Sequence, residues 1–417
     1  MPVVTRLYTP EEMGVLGAFV SLTAVLSPVA CMRYDQAIML ARDDDDAGIL
    51  VALSTLATLL VALLLLGLVS IWGGSFAKLL NTPTLVPWLW AVPLATVVLG
   101  LGQTFRVWLS RGRQYKEVSL ARLGQSSVDA AGQVFGGVLS GGSASLLAAH
   151  LAGAATHTGV LLVASHRAFR LKEAVSNWRS LVQYAVRFHK FPLFLVPGGV
   201  IVGLGNQGFV LLVAIFFGPT TSGLFFLTHR VLALPTSVMA HSISTAFYER
   251  LSTIRREGGN EVRLIARVFL TLFMISIIPM GLVGVFGPLC CRTVFGAAWE
   301  GTGYFARAMF PNYLLMLCVT PLTQSFSAYE RQECGLAWQT AFLVAATLAL
   351  WLGNLVGGPM GAFAAYGLAG ALMYALVLVL ALRWAGCPVA KIPVVLVAET
   401  AVLLGPFVGR GEPAKQG

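Results

Sequence analysis

The stretch VVTRLYTPEEMGVLGAF (residues 3–19) has a counterpart 209 residues later in LVAIFFGPTTSGLFFLT (residues 212–228). The two stretches share a proline and a glycine at the same spacing: Pro10 and Gly14 in the first, Pro219 and Gly223 in the second. Each pair lies in a short turn between two apolar segments, and internal repeats of this kind are common in membrane transporters. The repeat therefore predicts two halves of equivalent architecture.

The second copy shows what the first one lacks. An apolar helix over residues 192–217 precedes the turn at Pro219, whereas only nine residues precede Pro10. We therefore predict that the first helix is mostly missing from this chain, through a misplaced start codon or a truncation, and that the full architecture has six helices in each half. The alternative is an eleven-span protein whose N-terminus lies outside the cell.

Composition indicates a membrane protein. The chain has 417 residues, of which 57% are hydrophobic and 11% are charged, whereas a soluble domain carries about 25% charged residues. Apolar runs long enough to cross a bilayer as helices recur along the chain. We predict an all-α polytopic membrane protein with eleven spans, near residues 14–32, 48–72, 86–109, 118–139, 144–164, 192–217, 221–247, 264–290, 303–327, 335–356 and 361–382. A twelfth apolar stretch, 391–409, carries Glu399 and is a span, a re-entrant piece or an interfacial helix.

Basic residues indicate the orientation of the spans. If residues 14–32 run from outside to inside, most of the 28 Lys and Arg residues fall in inner loops, as the positive-inside rule requires. This explains the net charge of +10 without a nucleic-acid partner. The predicted division is an N-terminal transmembrane lobe over 1–164, a basic cytoplasmic linker over 165–191, a C-terminal transmembrane lobe over 192–385, and an apolar segment with a tail over 386–417.

Arg230, with His229 beside it, lies well inside a predicted span in SGLFFLTHRVLALP (residues 222–235). Ionisable groups in spans are costly and usually face a cavity or a partner. One interpretation is a cationic site in a central cavity, where the planar fork of arginine would bind phosphate oxygens. The other is an arginine that extends along the helix to the lipid headgroups.

Two further sets of polar residues lie in predicted spans. Gln125, Asp129 and Gln133 repeat every fourth residue and form one stripe, which either lines a water-filled cavity or hydrogen-bonds a neighbouring helix; Asp129 is also a candidate cation or proton site. Asn206 and Gln207 lie in a segment, 191–209, that is rich in proline and glycine. That segment predicts a discontinuous helix lining a cavity, or close packing through small residues.

Other chemistry-bearing patterns have structural explanations. His150 and His157 lie seven residues apart on one helix face, which suits packing better than a proton relay. The acidic run RDDDDAG (residues 42–48) precedes a helix start, where negative charge complements the helix dipole. The six cysteines show neither metal-ligand spacing nor a disulfide framework. We predict no catalytic residues, no metal site and no cofactor.

Several stretches resemble the polysaccharide (O-antigen type) flippase family of the multidrug/oligosaccharidyl-lipid/polysaccharide exporter superfamily. They are TRLYTPEEMGVLGAF, MRYDQAIMLARDDDDAG, FRVWLSRGRQYKEVS, RFHKFPLFLVPGGVI and FFGPTTSGLFFLTHRVLALP, and the resemblance covers about residues 3–385. It implies two six-helix lobes around a central cavity that opens alternately to the two sides. Arg230 matches a family arginine. Arg33, Asp35 and Arg106 match motif positions at inner helix ends, where they would either bind pyrophosphate as the cargo enters or anchor loops.

The resemblance implies a flippase that moves polyprenyl-pyrophosphate-linked oligosaccharide from the inner to the outer leaflet of a bacterial inner membrane, for lipopolysaccharide or exopolysaccharide synthesis. Membrane lipid, a polysaccharide polymerase and export proteins are the expected partners, and coupling to H⁺ or Na⁺ is open. The alternatives are a cation-coupled multidrug antiporter that uses Asp129, a lipid II flippase, a membrane-embedded polysaccharide polymerase or acyltransferase, and a structural scaffold.

Overall fold

The computed structural model describes residues 1–79, 83–165 and 178–408, and the regular structure in these ranges is helical. The principal helices are α1 Pro2–Leu7, α2 Pro10–Ala30, α3 Asp44–Leu79, α4 Ala91–Arg111, α5 Tyr115–Leu139, α6 Gly142–Ser165, α7 Trp178–Arg187, α8 Val196–Glu257, α9 Glu261–Phe295, α10 Glu300–Val319, α11 Gln332–Trp384 and α12 Ile392–Val408. Short helical turns lie at Tyr34–Ala37, Ile38–Leu40, Pro83–Leu85, Val86–Leu89, Phe191–Leu195, Ala297–Trp299, Thr320–Gln324, Ser325–Ala328 and Val389–Lys391. The predicted all-α class is confirmed.

Eight helical segments of the described chain are long and apolar enough to cross a membrane, which confirms the multi-pass prediction. Gln332–Trp384 covers two predicted spans, and Phe191–Ala233 covers one and the beginning of the next, 221–247. Within these segments α8 breaks at Gly218, and α11 breaks at Gly357 and Gly358. Helix α5 covers a further predicted span, 118–139. It is not among the eight segments, because its charged and amide side chains lower its mean hydropathy. The final stretch forms α12, a single helix of 17 residues.

The chain divides into two compact units. Residues 1–227 with 294–299 form the first, and residues 228–293 with 300–417 form the second. The short segment 294–299 joins the first unit, because the buried indole of Trp299 donates a hydrogen bond to the carbonyl oxygen of Thr5 at 2.7 Å. Part of the predicted linker, residues 166–177, lies outside the described residues, as does the end of the predicted C-terminal tail. The predicted lobes stay a prediction.

The first repeated turn is formed by local sequence signals. Helix α1 ends at Leu7, and Tyr8 is extended. Thr9 then caps α2: its side chain accepts a hydrogen bond from the backbone of Glu12, whose carboxylate accepts one from the backbone of Thr9 at 2.8 Å. Pro10 occupies the first helical position, where its missing N–H leaves no hydrogen bond unmade. The residues of the turn therefore specify both the end of one helix and the start of the next.

The second repeated turn and the first one contact each other. Gly218 has φ 78°, so it interrupts α8 immediately before Pro219 in a conformation that favours glycine. A Cβ built on Gly14 would lie 1.9 Å from the carbonyl oxygen of Pro219. Reciprocally, a Cβ built on Gly223 would lie 1.7 Å from the carbonyl oxygen of Pro10. Equivalent residues of the two copies thus exchange equivalent contacts, as a two-fold relation between repeats requires.

Packing inside each unit follows membrane-protein rules. In the first unit, a buried cluster joins α3, α4 and α7 through residues that include Leu50, Phe105 and Leu181. In the second unit, α9 and α10 approach closely at a glycine pair, because a Cβ on Gly287 would lie 2.9 Å from the carbonyl oxygen of Gly303. Small residues let helix backbones approach closely where lipid supplies no hydrophobic driving force between helices.

Candidate functional site

A buried hydrogen-bond network lies at the C-terminal end of α2, beside the short helix Tyr34–Ala37. Asp35 is 1% exposed, and one of its carboxylate oxygens accepts a bond from the Gln103 amide at 2.9 Å. The other oxygen accepts the thiol of Cys31 at 3.3 Å. The hydroxyl of Ser27 in turn donates to the side-chain amide oxygen (Oε1) of Gln103 at 3.2 Å. A buried carboxylate without donors costs free energy, and Gln103 of α4 is one of the two donors to Asp35. Separating α4 from the end of α2 would remove that donor, so the network stabilises their contact.

Arg33 belongs to the same region. Its backbone is left-handed, with φ 59°, which turns the chain from α2 into the short helix that carries Asp35. A Cβ added to Gly199 of α8 would lie 2.5 Å from a terminal nitrogen of the Arg33 guanidinium and 2.7 Å from Pro28. The guanidinium is therefore packed between α2 and α8. Of the two interpretations of this motif, these contacts favour anchoring over binding of the entering cargo.

Arg106 lies one turn after Gln103 on α4 and is partly exposed. Its neighbour across the helix contact is α6, because a Cβ on Gly102 would lie 2.6 Å from the hydroxyl of Thr158 and 3.2 Å from a ring nitrogen of His157. His157 thus packs against α4 and faces the same end of the unit as Arg106. The role of Arg106 toward cargo stays a prediction.

The polar stripe of α5 faces α6 for at least part of its length. The Gln133 side chain, in a residue 3% exposed, donates to a carboxylate oxygen of Asp129 at 2.9 Å, and a ring nitrogen of His150 lies 3.9 Å from that oxygen. A Cβ on Gly153 would lie 2.9 Å from the carbonyl oxygen of Gln125. Asp129 therefore approaches His150 of α6, whereas the Gln133 side chain is bonded within α5. A cavity role for the stripe stays a prediction. The Gln125 side chain is half-buried.

His229 and Arg230 have different surroundings although they are adjacent. A ring nitrogen of His229 lies 2.7 Å from the hydroxyl of Tyr313, and Thr228 donates to the carbonyl oxygen of Thr302 at 3.2 Å. Both contacts face α10. Each helical residue is rotated by about 100° from the one before, so Arg230 lies about 150° from the mean direction of those two contacts. The Cβ of Arg230 therefore lies on the side of α8 opposite these two contacts.

Asn206 and Gln207 lie in the first part of α8, where Asn206 is exposed and Gln207 half-buried. The predicted discontinuity falls at the start of this segment: residues Phe191–Leu195 form a π-helical turn that contains Pro192. From Val196 the helix continues to the break at Gly218. The amide pair therefore lies on a continuous helix, and the irregular backbone lies close to Arg33 and Gly199 instead.

One charged cluster was not predicted. The carboxylate of Glu399 on α12 is held by two arginines of α9, at 3.0 Å from Nε of Arg263 and 2.8 Å from Nε of Arg267. The Glu399 side chain is 14% exposed. The available signal was the unusual acid in the last apolar stretch, combined with two arginines four residues apart; their pairing needed the tertiary fold. The cluster fixes the C-terminal helix to α9.

A groove of about 700 Å³ lies between the start of α5 and the end of α6, with Gln114, Glu117 and Thr156 among polar lining residues and Val160 and Val163 among apolar ones. Within the ranges that the structure describes, no group of three or more His, Cys, Asp or Glu side chains could hold a metal ion.

The predicted site residues are distributed over both units. The first unit contains six of them: Arg106, Gln125, Asp129, Gln133, Asn206 and Gln207. The second contains His229 and Arg230. The contacts above bring together Asp129 and Gln133, and they direct His229 toward Tyr313.

Comparison with known proteins gives a family and a fold. A family profile described as "Polysaccharide biosynthesis protein" matches residues 3–303, and no curated protein sequence matches the chain significantly. A multidrug resistance MATE family transporter of the MOP superfamily, solved in an inward-facing conformation, is 13% identical over 94% of this chain and 96% of its own, with a TM-score of 0.72. The lipid II flippase MurJ, solved in an inward closed conformation, is 14% identical over 99% and 90%, with a TM-score of 0.73. A MOP superfamily transporter from Pyrococcus furiosus is 14% identical over 93% and 88%, with a TM-score of 0.54.

At these low identities, the likeness to solved structures shows a shared fold and no more. The family match is of a different kind, because it spans well over half of the chain and includes both copies of the repeat. The resemblance inferred from the motifs is confirmed at that level, and the chain belongs to the polysaccharide biosynthesis protein family.

Proposed function

We propose that this protein is a flippase, which moves polyprenyl-pyrophosphate-linked oligosaccharide from the inner to the outer leaflet by alternating access. Membership of a polysaccharide biosynthesis family supports the glycan part of the cargo. The fold shared with a lipid II flippase and with MOP superfamily transporters supports movement across the membrane, and it gives no support to an enzyme.

The position of Arg230 carries the proposal: it is half-buried in the membrane-crossing part of α8, and helical rotation puts its Cβ on the side of α8 opposite the contacts with α10. A pyrophosphate must cross hydrocarbon with its negative charge, and a buried cation offsets that cost. Arginine stays charged and presents a planar fork of donors that matches phosphate oxygens.

The other predicted residues divide by their contacts. We propose that Gln125, Asn206 and Gln207 bind sugar hydroxyls, because Asn206 is exposed, Gln125 and Gln207 are half-buried, and an amide both donates to and accepts from hydroxyls. Asp129, Gln133 and His229 act as positioning residues within their units, since each is bonded to another side chain. Arg106 is proposed to meet the pyrophosphate at the inner side. A polysaccharide polymerase and export proteins are the proposed partners.

Replacing the arginine tests the proposal. A charge-assisted hydrogen bond contributes about 1.5–3 kcal/mol, so Arg230→Ala should lower export at least about tenfold in a host that lacks its own copy. Arg230→Lys should give a partial loss, because it keeps the charge and loses the fork. The readouts are surface polysaccharide and carrier-linked oligosaccharide on the cytoplasmic face, each normalised to the amount of protein in the membrane.

Arg307→Ala is the matched control, because Arg307 is an exposed arginine of the span α10. Normal export by Arg230→Ala at normal abundance would refute the assignment of Arg230. Unchanged polysaccharide and carrier pools on deletion of the gene would refute the flippase itself.

A cation-coupled multidrug antiporter is the second candidate, and the pair Asp129–His150 favours it. The Asp129 carboxylate, with the His150 imidazole 3.9 Å away, is an ionisable pair in the predicted spans, where such groups commonly mark ion and proton paths. If Asp129→Asn abolishes drug-dependent proton flux in vesicles while leaving surface polysaccharide intact, the antiporter replaces the flippase. If neither quantity changes, Asp129 serves helix packing only.

A further inference from the structure

Helix α7, Trp178–Arg187, connects two transmembrane regions and presents three distinct faces. Its protein-facing side carries Leu181, which is 4% exposed and belongs to the cluster formed with α3 and α4. Tyr184 on the same side donates a hydrogen bond to the carboxylate of Asp46 at the start of α3. This face fixes the helix to the first unit and leaves the rest of its circumference outside the core.

The second face of α7 is apolar and exposed. Trp178, Val182 and Val186 follow one another at four-residue spacing, so they form a single stripe. Their exposed fractions are 65%, 44% and 66%. In water, such a stripe on so short a helix would be unfavourable, since each side chain leaves apolar surface unburied.

The third face is basic. Arg179, Gln183 and Arg187 are exposed and follow the apolar stripe around the helix at about 100° per residue, and the exposed Lys190 comes just beyond the helix end. The guanidinium carbon of Arg187 lies 5.2 Å from the ring centre of Phe188, so this cation is oriented by an aromatic ring. Core-facing, apolar and basic sectors therefore succeed one another around α7.

Continuity of the chain indicates what covers the apolar stripe. The helix ends at Arg187, and a membrane-crossing segment begins at Phe191. Leu193 and Phe194, in the turn between them, are 60% and 65% exposed. The stripe is thus only a few residues from a segment that enters the bilayer, on the side where the basic residues of this chain concentrate. An apolar face beside a basic face is the pattern of helices that lie in the headgroup region.

We propose that α7 is an interfacial helix that binds anionic lipids of the cytoplasmic leaflet. Trp178, Val182 and Val186 insert at the boundary between headgroups and acyl chains, and Arg179 and Lys190 contact lipid phosphates. Because Tyr184 and Leu181 join α7 to the inner ends of α3 and α4, the lipid charge would also hold those ends in place. This inference is independent of the cargo.

The experiment uses the full chain in nanodiscs whose phosphatidylglycerol content is raised in steps within phosphatidylcholine. Hydrogen–deuterium exchange of residues 178–190 is measured at each composition. We expect exchange to slow as the anionic fraction rises. Each basic residue near an anionic surface strengthens binding about fivefold, so Arg179→Gln with Lys190→Gln should weaken the apparent lipid affinity about 25-fold. A matched double control, Arg256→Gln with Arg383→Gln, neutralises two exposed basic residues elsewhere and should leave the protection of α7 unchanged.

The apolar face is tested on the same helix. Val182→Asn should remove most of the protection in every bilayer, whereas Gln183→Asn, at the neighbouring exposed position, should keep it. Protection that is equal in zwitterionic and anionic nanodiscs overturns the proposed lipid charge dependence. Protection in the Arg179/Lys190 variant equal to that of the control variant overturns the proposed contacts. Equal behaviour of the two asparagine variants overturns insertion of the stripe.

Discussion

The contact between the two repeated turns makes a sharp prediction about single methyl groups. At Gly14 an added Cβ would lie 1.9 Å from the carbonyl oxygen of Pro219, and at Gly223 it would lie 1.7 Å from that of Pro10. Protein Cβ atoms essentially never come closer than 3.0 Å to another heavy atom, so the opposing backbone must retreat by more than 1 Å in either variant. A backbone carbonyl in a helix has no rotamer that relieves the clash.

Overpacking of this kind typically destabilises a protein by about 1–3 kcal/mol, and the rigid neighbour places Gly14→Ala and Gly223→Ala at the upper end. For a unit of this size, each kcal/mol shifts the melting temperature by roughly 2–4 °C. We therefore expect the melting temperature in detergent, followed by tryptophan fluorescence at one heating rate, to fall by about 5–10 °C. The double variant should lose less than the sum, because the first methyl group already separates the helices that the second would separate.

Two other glycines calibrate the measurement. Gly17→Ala would bring a Cβ to 2.9 Å from Cγ of Phe226, a much milder overlap than the 1.9 Å at Gly14, so its effect should be smaller than that of Gly14→Ala. Gly67→Ala meets nothing within 4 Å and should be neutral or slightly stabilising, since alanine favours helix. Melting temperatures of Gly14→Ala and Gly223→Ala equal to that of Gly67→Ala would refute the crossing of the two repeats at these residues.

Two further predictions concern the buried polar clusters. Gln103→Leu removes a donor from the buried carboxylate of Asp35, so it should destabilise the protein by about 1–3 kcal/mol in the same melting assay. Gln103→Glu should be worse, because it sets two carboxylates together. A wild-type melting temperature in both variants would contradict the network. Glu399→Gln leaves two arginines without their carboxylate, so we expect α12 to become accessible to proteolysis. The protection of α12 from the protease should also no longer depend on salt. An unchanged digestion pattern would show that the ion pairs of Glu399 do not hold the helix.

The elements that could be predicted from the sequence are those with local causes. Membrane helices follow from runs of apolar residues, and the first turn follows from Thr9, Pro10 and Glu12, each of which acts within four residues of the helix start. Even the break at Gly218 has a local cause, because glycine adopts its positive φ at no steric cost and the residue before a proline disfavours helical backbone. These features need no knowledge of which helices become neighbours.

The polar stripe of α5 shows where local reasoning ends. Spacing alone shows that Asp129 and Gln133 share one face, but it does not show what that face touches. The structure supplies the answer through distant residues: the hydroxyl of Tyr8 donates to the carbonyl oxygen of Gln133 at 2.8 Å and lies 2.9 Å from Ser145. These contacts depend on the tertiary arrangement of three chain segments, the turn at Tyr8, α5 and α6, which the spacing of residues along α5 does not reveal.

The pair His229–Arg230 carries the same argument into function. The sequence indicates that both residues lie at a similar depth in the membrane, and on depth alone they would belong to one site. They leave the helix in different directions, because each residue is rotated by about 100° from the one before. His229 is turned toward Tyr313 and completes a contact between helices, while Arg230 is turned away from that contact. The cationic site proposed for pyrophosphate therefore depends on Arg230 alone of the two. A variant series should reflect this: His229→Phe should lower stability more than export per folded molecule, and Arg230→Ala should do the reverse.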